Sequence, residues 1–375
     1  MQRSVISPRP EWQGIVEAHG MNYHTIDGEI YWDESAYYTF SAGEIDELEA
    51  ATAELQELCI AAVEHVIVHN RYDQLQIPAT AVPLITRSWE EDEPSILGRF
   101  DLAYDGSAPP RLFEYNADTP TALLEASVIQ WFWLKDRFPA ADQFNSIHEK
   151  LIEQWAVIAP SIPGSLYFSS VKDSPEDRGN LDYLRDTAMQ AGMQTEQLFI
   201  EEIGFNSGTG RFVDNNNRVI GHLFKLYPWE WLLHESFGRY IESAALTFIE
   251  PAWKMILSNK AILPILWEIS PHHPNLLEAS FDPARFKDNF VSKPFLSREG
   301  CNIRVHRNGT VAEYDGSYTG SGTVYQDLAV LPCFDGNFPV IGSWVIGGEP
   351  SGIGIREDLS EVTTNTSRFV PHLFQ

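Results

Sequence analysis

Apolar residues recur with helical spacing in one long segment of the N-terminal third. The spacing begins at Ile45 and continues to about Val68, with apolar positions three or four residues apart along one face. Just before it stands Ser41-Ala42-Gly43-Glu44, which has the serine and glutamate of a capping box. The pattern therefore predicts a long helix that begins at Ser41.

Farther along, helical and strand periods alternate. Helical spacing predicts helices over 147–158, 178–191 and 238–248, and one over 259–269 that Pro264 interrupts. Short apolar runs predict strands over 165–171 and 196–201, and a hairpin of strands 210–213 and 219–224. This alternation is typical of an α/β lobe.

The last 85 residues are richer in strand patterns, joined by glycine-containing turns. The predicted strands cover 289–295, 302–306, 311–315, 322–327, 338–347 and 352–356. A mixed first part and a sheet-rich end predict a mixed α/β and α+β protein with a cleft between lobes. We expect approximate lobes over 1–145, 146–250 and 251–375.

The most informative strand pair lies over about 98–116. Arg99-Phe100-Asp101 and Glu114-Tyr115-Asn116 flank a run of turn formers with no large apolar residue. Folding the segment symmetrically about Ser107-Ala108 places Asp101 opposite Glu114 and Arg99 opposite Asn116. Because strand side chains alternate between faces, these four share one face. The other face is then expected to carry the large apolar residues Phe100, Leu102, Phe113 and Tyr115.

Two carboxylates and an amide oxygen beside a guanidinium would suit a hard cation that carries phosphates. The alternative is an exposed hairpin with a cross-strand charge cluster, although facing carboxylates repel unless a cation lies between them. Geometry alone leaves both interpretations open.

Directly after the hairpin, Thr119 and Pro120 have the residue types of an N-cap and a first helical position. They predict a helix over 122–134 whose N-terminus would offer free N–H groups to an anion. Capping alone is the alternative role.

The charge balance limits the classes of molecule that the protein is expected to bind. The chain has 53 acidic and 26 basic residues in 375, a formal net charge of -27. Such a protein repels phosphate backbones and anionic lipid, which argues against nucleic-acid and membrane-surface binding. It would favour a cationic substrate such as a polyamine, with solubility as the simpler explanation.

The cysteines indicate a reducing compartment, and the N-terminal sequence gives no indication of secretion. Cys59, Cys301 and Cys333 are odd in number and widely spaced, which argues against a disulfide framework or a structural zinc site. The N-terminus lacks the apolar core of a signal peptide, and no stretch approaches the ~20 apolar residues of a membrane span. We expect a cytoplasmic protein, and the oligomeric state stays open.

Three segments downstream could complete a phosphate site. Lys293 ends a strand before a glycine-containing loop, Lys260 heads an apolar segment, and Arg356 follows a glycine-rich run over 347–354. Each also has an ordinary structural explanation as a turn or a solvated lysine. P-loop, dinucleotide-binding, zincin and serine-hydrolase motifs are absent from the sequence. His65 and His69 have metal-binding spacing but no evident third ligand.

Taken together, these segments resemble the synthetase domain of glutathionylspermidine synthetases, members of the ATP-grasp superfamily. The resemblance runs from Trp12 to the C-terminus. It is most specific at Arg99-Phe100-Asp101, at 112–120, at 259–267 and at 293–302. It implies an ATP-grasp fold with a preceding pre-ATP-grasp-like region and an ATP cleft between lobes.

The resemblance also implies roles for individual residues. Asp101, Glu114 and Asn116 match the metal ligands, for two Mg²⁺ ions, and Arg99 matches a phosphate-contacting catalytic arginine. Lys260 and Lys293 match the ATP-binding lysines, and Arg356 matches a catalytic arginine near the transferring phosphate. Gln326 matches a position near the adenine. The loop over the phosphates matches Ser297, Arg298, Glu299, Gly300, Cys301 and Asn302, with Arg298 as its basic residue.

The resemblance implies ATP-dependent joining of a peptide-like carboxylic acid to an amine, for example a polyamine, which forms an amide through an acyl-phosphate intermediate. The chain lacks the amidase domain of the bifunctional relatives, so we expect no amide hydrolysis. Ser297 stands where a glycine is expected, and Glu299 adds an acidic group to the loop. Two rivals are an ATP-binding regulatory module without ligase activity and a phosphotransferase that leaves its product phosphorylated.

Overall fold

The computed structural model describes residues 1–318 and 320–375. Its helices are α1 (Trp12–Ala18), α2 (Ala42–Val68), α3 (Val82–Glu90), α4 (Gln130–Arg137), α5 (Ile147–Ile158), α6 (Pro175–Gln190), α7 (Trp229–Leu232) and α8 (Ile262–Ile269). Its strands are β1 (Gln2–Val5), β2 (Thr25–Ile26), β3 (Glu29–Ile30), β4 (Ala36–Phe40), β5 (Leu97–Ala103), β6 (Arg111–Asn116), β7 (Ser165–Ser170), β8 (Gln194–Phe199), β9 (Gly204–Asn206), β10 (Arg211–Val213), β11 (His222–Leu226), β12 (Thr247–Ile249), β13 (Ala279–Ser280), β14 (Phe290–Pro294), β15 (Arg304–Arg307), β16 (Thr310–Glu313), β17 (Thr323–Asp327), β18 (Phe338–Ile346), β19 (Glu349–Asp358), β20 (Arg368–Val370) and β21 (His372–Phe374). In the described ranges, no helix combines the length and the apolar character needed to cross a bilayer.

A five-stranded antiparallel sheet joins the hairpin to the C-terminal strands. Its order is β20-β19-β18-β5-β6, which leaves β6 at the edge. Helix α2 packs across this sheet, and the hydroxyl oxygens of Thr52 and Ser343 lie 2.6 Å apart between them. The face of the hairpin that is turned toward α2 therefore packs on an apolar core that includes Leu55, Phe100 and Ile341.

A four-stranded parallel sheet, β12-β11-β7-β8, forms a second layer. One face packs on α5, where the ring centroid of Trp155 lies 5.7 Å from Phe168 and 6.2 Å from Phe224. Helix α6 connects β7 to β8 and packs beside α5 in the same apolar cluster. This is the predicted α/β lobe.

A third sheet, β13-β17-β14-β15-β16, carries Lys293 at the end of β14. The Lys293 ammonium donates to the backbone oxygen of Phe113 at 3.1 Å, which ties this sheet to the hairpin. The loop between β14 and β15 contains residues 297–302 and lies over the place where this sheet meets the hairpin.

Most of the predicted elements are confirmed. Both bonds of the capping box form: the Glu44 N–H donates to Ser41 Oγ at 3.3 Å, and the Ser41 N–H donates to Glu44 Oε2 at 2.7 Å. The hairpin has the predicted register, with Asp101 opposite Glu114 and Arg99 opposite Asn116. The six C-terminal strands are present within a few residues of their expected ends.

The apolar face of the hairpin differs from the prediction at one residue. The register shifts between Asp101 and Leu102, so that Leu102 pairs with Leu112 and Phe113 is the extra residue of a bulge. Leu112 enters the core, whereas Phe113 stands on the same side as Glu114 and lines a cavity. A symmetric fold of the sequence could not reveal this extra residue.

Two predicted elements in the second layer differ from the structure. Residues 238–248 form a short 3₁₀ turn (Gly238–Tyr240) and then β12, because Thr247–Ile249 pair with β11 at the sheet edge. The predicted hairpin of strands 210–213 and 219–224 forms only in part. Val213 and Val219 make an antiparallel bridge, and the Ile220 N–H donates to the Phe212 backbone oxygen at 2.9 Å, but β10 also pairs with β9 and β11 joins the parallel sheet. In both places, tertiary pairing overrides the local pattern.

The predicted helix start at Thr119 and the predicted interruption at Pro264 also differ from the structure. Helical structure after the hairpin begins at Leu123, whose N–H donates to Asn180 Oδ1 at 2.8 Å, so Thr119 is not the N-cap. Pro264 lies in the first turn of α8, where its missing N–H has no helical partner to lose, and the helix is uninterrupted.

Candidate active site

The hairpin brings its polar side chains together at the edge of the antiparallel sheet. Arg99 makes a two-pronged contact with Asp101, Nε to Oδ1 at 2.8 Å and Nη2 to Oδ2 at 3.1 Å. Asn116 Nδ2 lies 3.2 Å from Asp101 Oδ2 and 3.4 Å from Glu114 Oε1. The two carboxylates therefore converge on one amide group beside a guanidinium.

The two lysines lie on the other side of Glu114. Lys260 Nζ is 3.1 Å from Glu114 Oε2 and also donates to the backbone oxygen of Ser297. Burial by itself would raise the pKa of Glu114, but the charges of Lys260 and Lys293 outweigh it and hold that pKa at about 2. Glu114 is thus a carboxylate at neutral pH, ready to face a cation.

Lys293 is nearly buried and is held by neutral groups. Its ammonium donates to Gln326 Oε1 at 2.8 Å and to the Phe113 backbone oxygen at 3.1 Å, and Gln326 Nε2 donates to the Leu112 backbone oxygen at 2.9 Å. Burial, with the charge of Lys260 adding to it, lowers the pKa of Lys293 to about 8. An anionic phosphate near Nζ would favour the charged form.

A narrow cavity of about 90 Å³ opens beside Lys293 and Gln326. Its walls are largely apolar, including Phe113, Val291 and Leu331. We call it the side cavity. A flat aromatic ring with a polar edge would suit these walls.

A larger cavity of about 290 Å³ adjoins it, and we call it the polar cavity. The two cavities share Asp101, Glu114, Gly300 and Thr363 in their walls. Arg99, Asn116, Arg298, Glu299 and Arg356 also line the polar cavity. The predicted metal and phosphate residues therefore meet where the two cavities join.

The loop over this junction is held by Arg298. Its Nη1 donates to Thr119 Oγ1 at 2.7 Å and its Nη2 donates to Glu230 Oε1 at 3.0 Å. Gly300 has a positive φ and lies so close to Thr363 that a Cβ would stand 2.6 Å from the Thr363 backbone oxygen. A glycine is therefore required there by both conformation and space.

The other loop residues point away from the cavities. Ser297 is buried and contributes its backbone oxygen to Lys260. Asn302 bonds the backbone of residues 316 and 318, and the Cys301 Cβ packs close to Gly316. These three hold the shape of the loop, while Arg298, Glu299 and Gly300 face the polar cavity.

Arg356 lines the polar cavity from β19, which belongs to the same antiparallel sheet as the hairpin strand of Arg99. Its Nη2 donates to the backbone oxygens of Thr364, Asn365 and Ser367, and its guanidinium carbon lies 5.6 Å from the ring centroid of Tyr31. The Nε atom is buried without a partner among the described residues. An anion in the polar cavity could satisfy it.

Sequence reasoning missed an acidic group on α6 and a buried ion pair. Glu176 and Asp177, in the first turn of α6, line the polar cavity together with Glu299. Burial and the neighbouring Glu176 raise the pKa of Asp177 to about 6. Asp118 is paired with Lys225, which stands in the apolar strand β11. A lysine within an otherwise apolar strand was the feature of the sequence that could have indicated this buried ion pair.

The donor set fits Mg²⁺ that is shared with a phosphate-bearing substrate. Asp101 and Glu114 offer carboxylate oxygens. Asn116 offers its amide oxygen Oδ1, which belongs to the same amide group as the Nδ2 that donates to Asp101. Among the described residues, no cluster of three or more His, Cys, Asp or Glu side chains could hold a metal alone. Mg²⁺ is usually bound by one or two carboxylates plus substrate phosphates and water, so a partial set is the appropriate one.

Comparison with known proteins identifies similar sequences over the whole chain. The family profile "Glutathionylspermidine synthase preATP-grasp" matches residues 3–375. A Haemophilus influenzae protein named "Putative acid--amine ligase" is 44% identical over 372 residues, which are 95% of this chain and 94% of the relative.

Two longer relatives are more distant. Trypanothione synthetase of Crithidia fasciculata is 29% identical over 388 residues, covering 94% of this chain and 57% of the relative. The bifunctional glutathionylspermidine synthetase/amidase of Escherichia coli K12 is 26% identical over 373 residues, covering 91% and 60%. The chain therefore spans less than two thirds of these two proteins.

One solved structure shares the fold. A glutathione synthetase-like effector from Globodera pallida in its apo form superposes with a TM-score of 0.55 at 8% identity, covering 99% of this chain and all of the other. Together with the family profile, this confirms the predicted fold class.

Proposed function

The chain belongs to the glutathionylspermidine synthase preATP-grasp family, and we propose that it is an ATP-dependent ligase that joins a carboxylic acid to an amine. The observation that carries the proposal is the junction of the two cavities. There, two carboxylates and an amide meet two lysines and three arginines from four separate parts of the chain. A site of this composition suits a polyphosphate with its metal.

In this proposal, the adenine of ATP occupies the side cavity, with Gln326 and the backbone beside it supplying polar contacts. Lys293 and Lys260 then lie along the phosphates, and the loop over 297–302 covers them. Asp101, Glu114 and Asn116 would hold Mg²⁺, in one or two ions. When bound, Mg²⁺ would neutralise charge on the phosphate oxygens and hold them in place.

The reaction proceeds in two balanced steps. A carboxylate oxygen of the acid attacks the γ-phosphorus, the bond to the bridging oxygen breaks, and ADP leaves. The neutral amine then attacks the carbonyl carbon, the bond to the phosphate oxygen breaks, and the amide forms. The proton from the nitrogen leaves with inorganic phosphate.

The residues of this chain contribute positioning and charge. Arg99 and Arg356 both line the polar cavity, where negative charge develops on the transferring phosphoryl group. Arg298 closes the loop against Thr119 and Glu230 and so limits water. No step requires a covalent bond to the protein.

The polar cavity also supports an amine as the second substrate. Glu176, Asp177 and Glu299 form an acidic wall of this cavity. An ammonium group there would relieve the repulsion from Glu176 that, together with the larger effect of burial, raises the pKa of Asp177. We propose a peptide-like acid and an amine, with a polyamine as one class to test, in a cytoplasmic setting.

A substrate panel tests the proposal. The protein is incubated with MgATP, a set of peptide-like acids and a set of amines, while ADP and product mass are measured. ADP that requires both substrates, with a product one water lighter than their sum, supports the ligase. A phosphorylated acid as the final product would indicate a phosphotransferase. ATP binding with no ADP from any pair would indicate a regulatory module.

A further inference from the structure

A third cavity lies at the carboxyl end of the parallel sheet, outside the site described above. Its volume is about 270 Å³. This is near the lower end of about 300–1,000 Å³ for small-molecule sites, so its occupant is small. We call it the sheet-end cavity.

The topology of the sheet favours a ligand at this place. The strand order β12-β11-β7-β8 puts β8 on one side of β7 and β11 on the other. The chain therefore leaves β7 and β11 in opposite directions, and the crevice at the carboxyl ends of two such strands is the usual ligand site of open α/β sheets. Val171 and Tyr227, the first residues after these strands, both line the cavity.

The cavity exists because one face of the sheet lacks a long helix. Helices α5 and α6 cover the face that carries Phe168 and Phe224. The face that carries Leu223 and Phe248 is covered by the segment 229–246, which contains only α7 and a 3₁₀ turn. The space left between sheet and segment is walled mainly by apolar side chains.

The polar groups of this cavity have one sign of charge. Glu201 and Glu235 stand at its exposed mouth, and Tyr227 donates its hydroxyl to Glu235 Oε1 at 2.7 Å. Of the residues that the structure describes, no lysine or arginine lines the cavity. An apolar interior with an acidic mouth excludes phosphates and carboxylates and suits an organic cation with an apolar body.

The mouth is adjacent to the polar cavity. Successive residues of one segment line the two spaces alternately: Leu226 and Pro228 face the polar cavity, and Tyr227 faces the sheet-end cavity. Tyr227 also packs edge-on against Trp231, at 5.6 Å between ring centroids, and Trp231 lines the polar cavity beside Arg298.

We propose that the sheet-end cavity binds the apolar body of an alkyl or aralkyl amine, whose ammonium group pairs with Glu201 and Glu235 beside Trp231. The bound amine is the second substrate of the ligase, an assignment that rests on the proposed function: its ammonium group binds first at this mouth and then passes Trp231 to the acidic wall of the polar cavity. This selects against a polyamine, because an internal ammonium group would lose its water against apolar walls without a partner.

Binding to the whole protein without ATP tests the site itself. Calorimetry compares n-hexylamine with spermidine, 1-hexanol and hexanoate. We expect hexylamine to bind about tenfold more tightly than hexanol, as one charge-assisted contact gives, with spermidine weaker than hexylamine and hexanoate without measurable binding. Hexanol or spermidine binding as tightly as hexylamine would overturn the proposal.

Two pairs of variants locate the site. Glu235→Gln should weaken hexylamine and leave hexanol unchanged, whereas Glu242→Gln, exposed on the same segment but outside the cavity, should change neither. Ser236→Trp places a bulky group on an exposed residue of the lining and should abolish binding of both ligands. Ser243→Trp, also exposed but outside the lining, is its control. Unchanged hexylamine binding in Ser236→Trp would refute the location.

The substrate role is tested separately with MgATP and an acid. Hexylamine should support faster ADP release than spermidine, and Ser236→Trp should lose this hexylamine-dependent release while still binding ATP. Faster release with spermidine would overturn the substrate role. If hexylamine binds as expected but no acid–amine pair yields ADP, the ligase function fails and the substrate role fails with it, while the cation site stands.

Discussion

Lys225 Nζ lies 2.5 Å from Asp118 Oδ1, and neither side chain is exposed to solvent. The second oxygen of Asp118 accepts from the Trp229 N–H at 2.9 Å. This ion pair and its hydrogen bond join β11 and α7 to the segment after the hairpin, which contains Asp118. Because Thr119 is the next residue and holds Arg298, the buried pair sets one wall of the polar cavity.

Asp118→Asn is therefore expected to destabilise the protein strongly. It leaves the Lys225 ammonium buried without a counter-charge, which costs about 3–5 kcal/mol in the free energy of unfolding. Urea denaturation measures the change, and Asp46→Asn on the exposed face of α2 is the control. The double variant Asp118→Leu/Lys225→Met should lose less than Asp118→Asn. A loss below about 1 kcal/mol in Asp118→Asn would contradict this account.

Glu114→Gln should remove activity while leaving the fold intact. The amide keeps the shape of the side chain but cannot neutralise Lys260 or bind Mg²⁺ as a charged oxygen ligand. We expect the rate of ADP formation to fall by about 10²–10³-fold, as for the loss of one preorganised group that stabilises the transition state. Glu313→Gln, on the exposed strand β16, is the matched control. Equal rates in Glu114→Gln and wild type would exclude Glu114 as a metal ligand.

The hairpin shows what local patterns can predict. The register of Asp101 against Glu114 follows from turn residues and alternation, which are properties of adjacent sequence. The bulge at Phe113 was not predictable, because it depends on how Leu112 fits the core beneath. For the same reason, Thr119 has the residue type of an N-cap, but its actual partner, Arg298, is 179 residues away in the chain. The cavity wall formed by Glu176 and Asp177 likewise exists only once α6 packs beside the hairpin.

ATP affinity should weaken as pH rises above about 8. The pKa of Lys293 is lowered to about 8, mainly by burial, so its positive charge is present below that pH and is lost above it. Calorimetric titration with MgATP between pH 6.5 and 9.5 measures the effect. Lys293→Arg keeps its charge over this range and should remove the alkaline decline, even if its affinity is lower throughout. If the decline in ATP affinity is unchanged in Lys293→Arg, a titratable group other than Lys293 causes it.

Arg298→Lys should loosen the loop although it keeps the charge. Two different nitrogens of Arg298 bridge Thr119 and Glu230, and a single ammonium cannot reproduce that fork. We expect the KM for ATP to rise by roughly tenfold, the equivalent of one lost charge-assisted hydrogen bond. Limited proteolysis near residue 300 should also become faster. Arg304→Lys, on the exposed part of β15, should change neither value. A normal KM with normal proteolysis would mean that the bridge does not hold the loop.

Amine affinity should weaken as pH falls below about 6. Burial and Glu176 raise the pKa of Asp177 to about 6, so the carboxylate is charged above that pH and neutral below it. An alkyl ammonium stays protonated over this range, so its own titration does not change how the charged form binds, and the falling fraction of neutral amine lowers kcat rather than affinity. Measuring the KM for the amine between pH 5 and 8 should reveal the decline. Glu176→Gln should move the decline to lower pH, because it removes the neighbouring like charge, and Asp177→Asn should abolish it. Glu153→Gln, exposed on α5, should leave the wild-type profile unchanged. If Glu176→Gln leaves the midpoint in place, the acidic wall does not bind the amine.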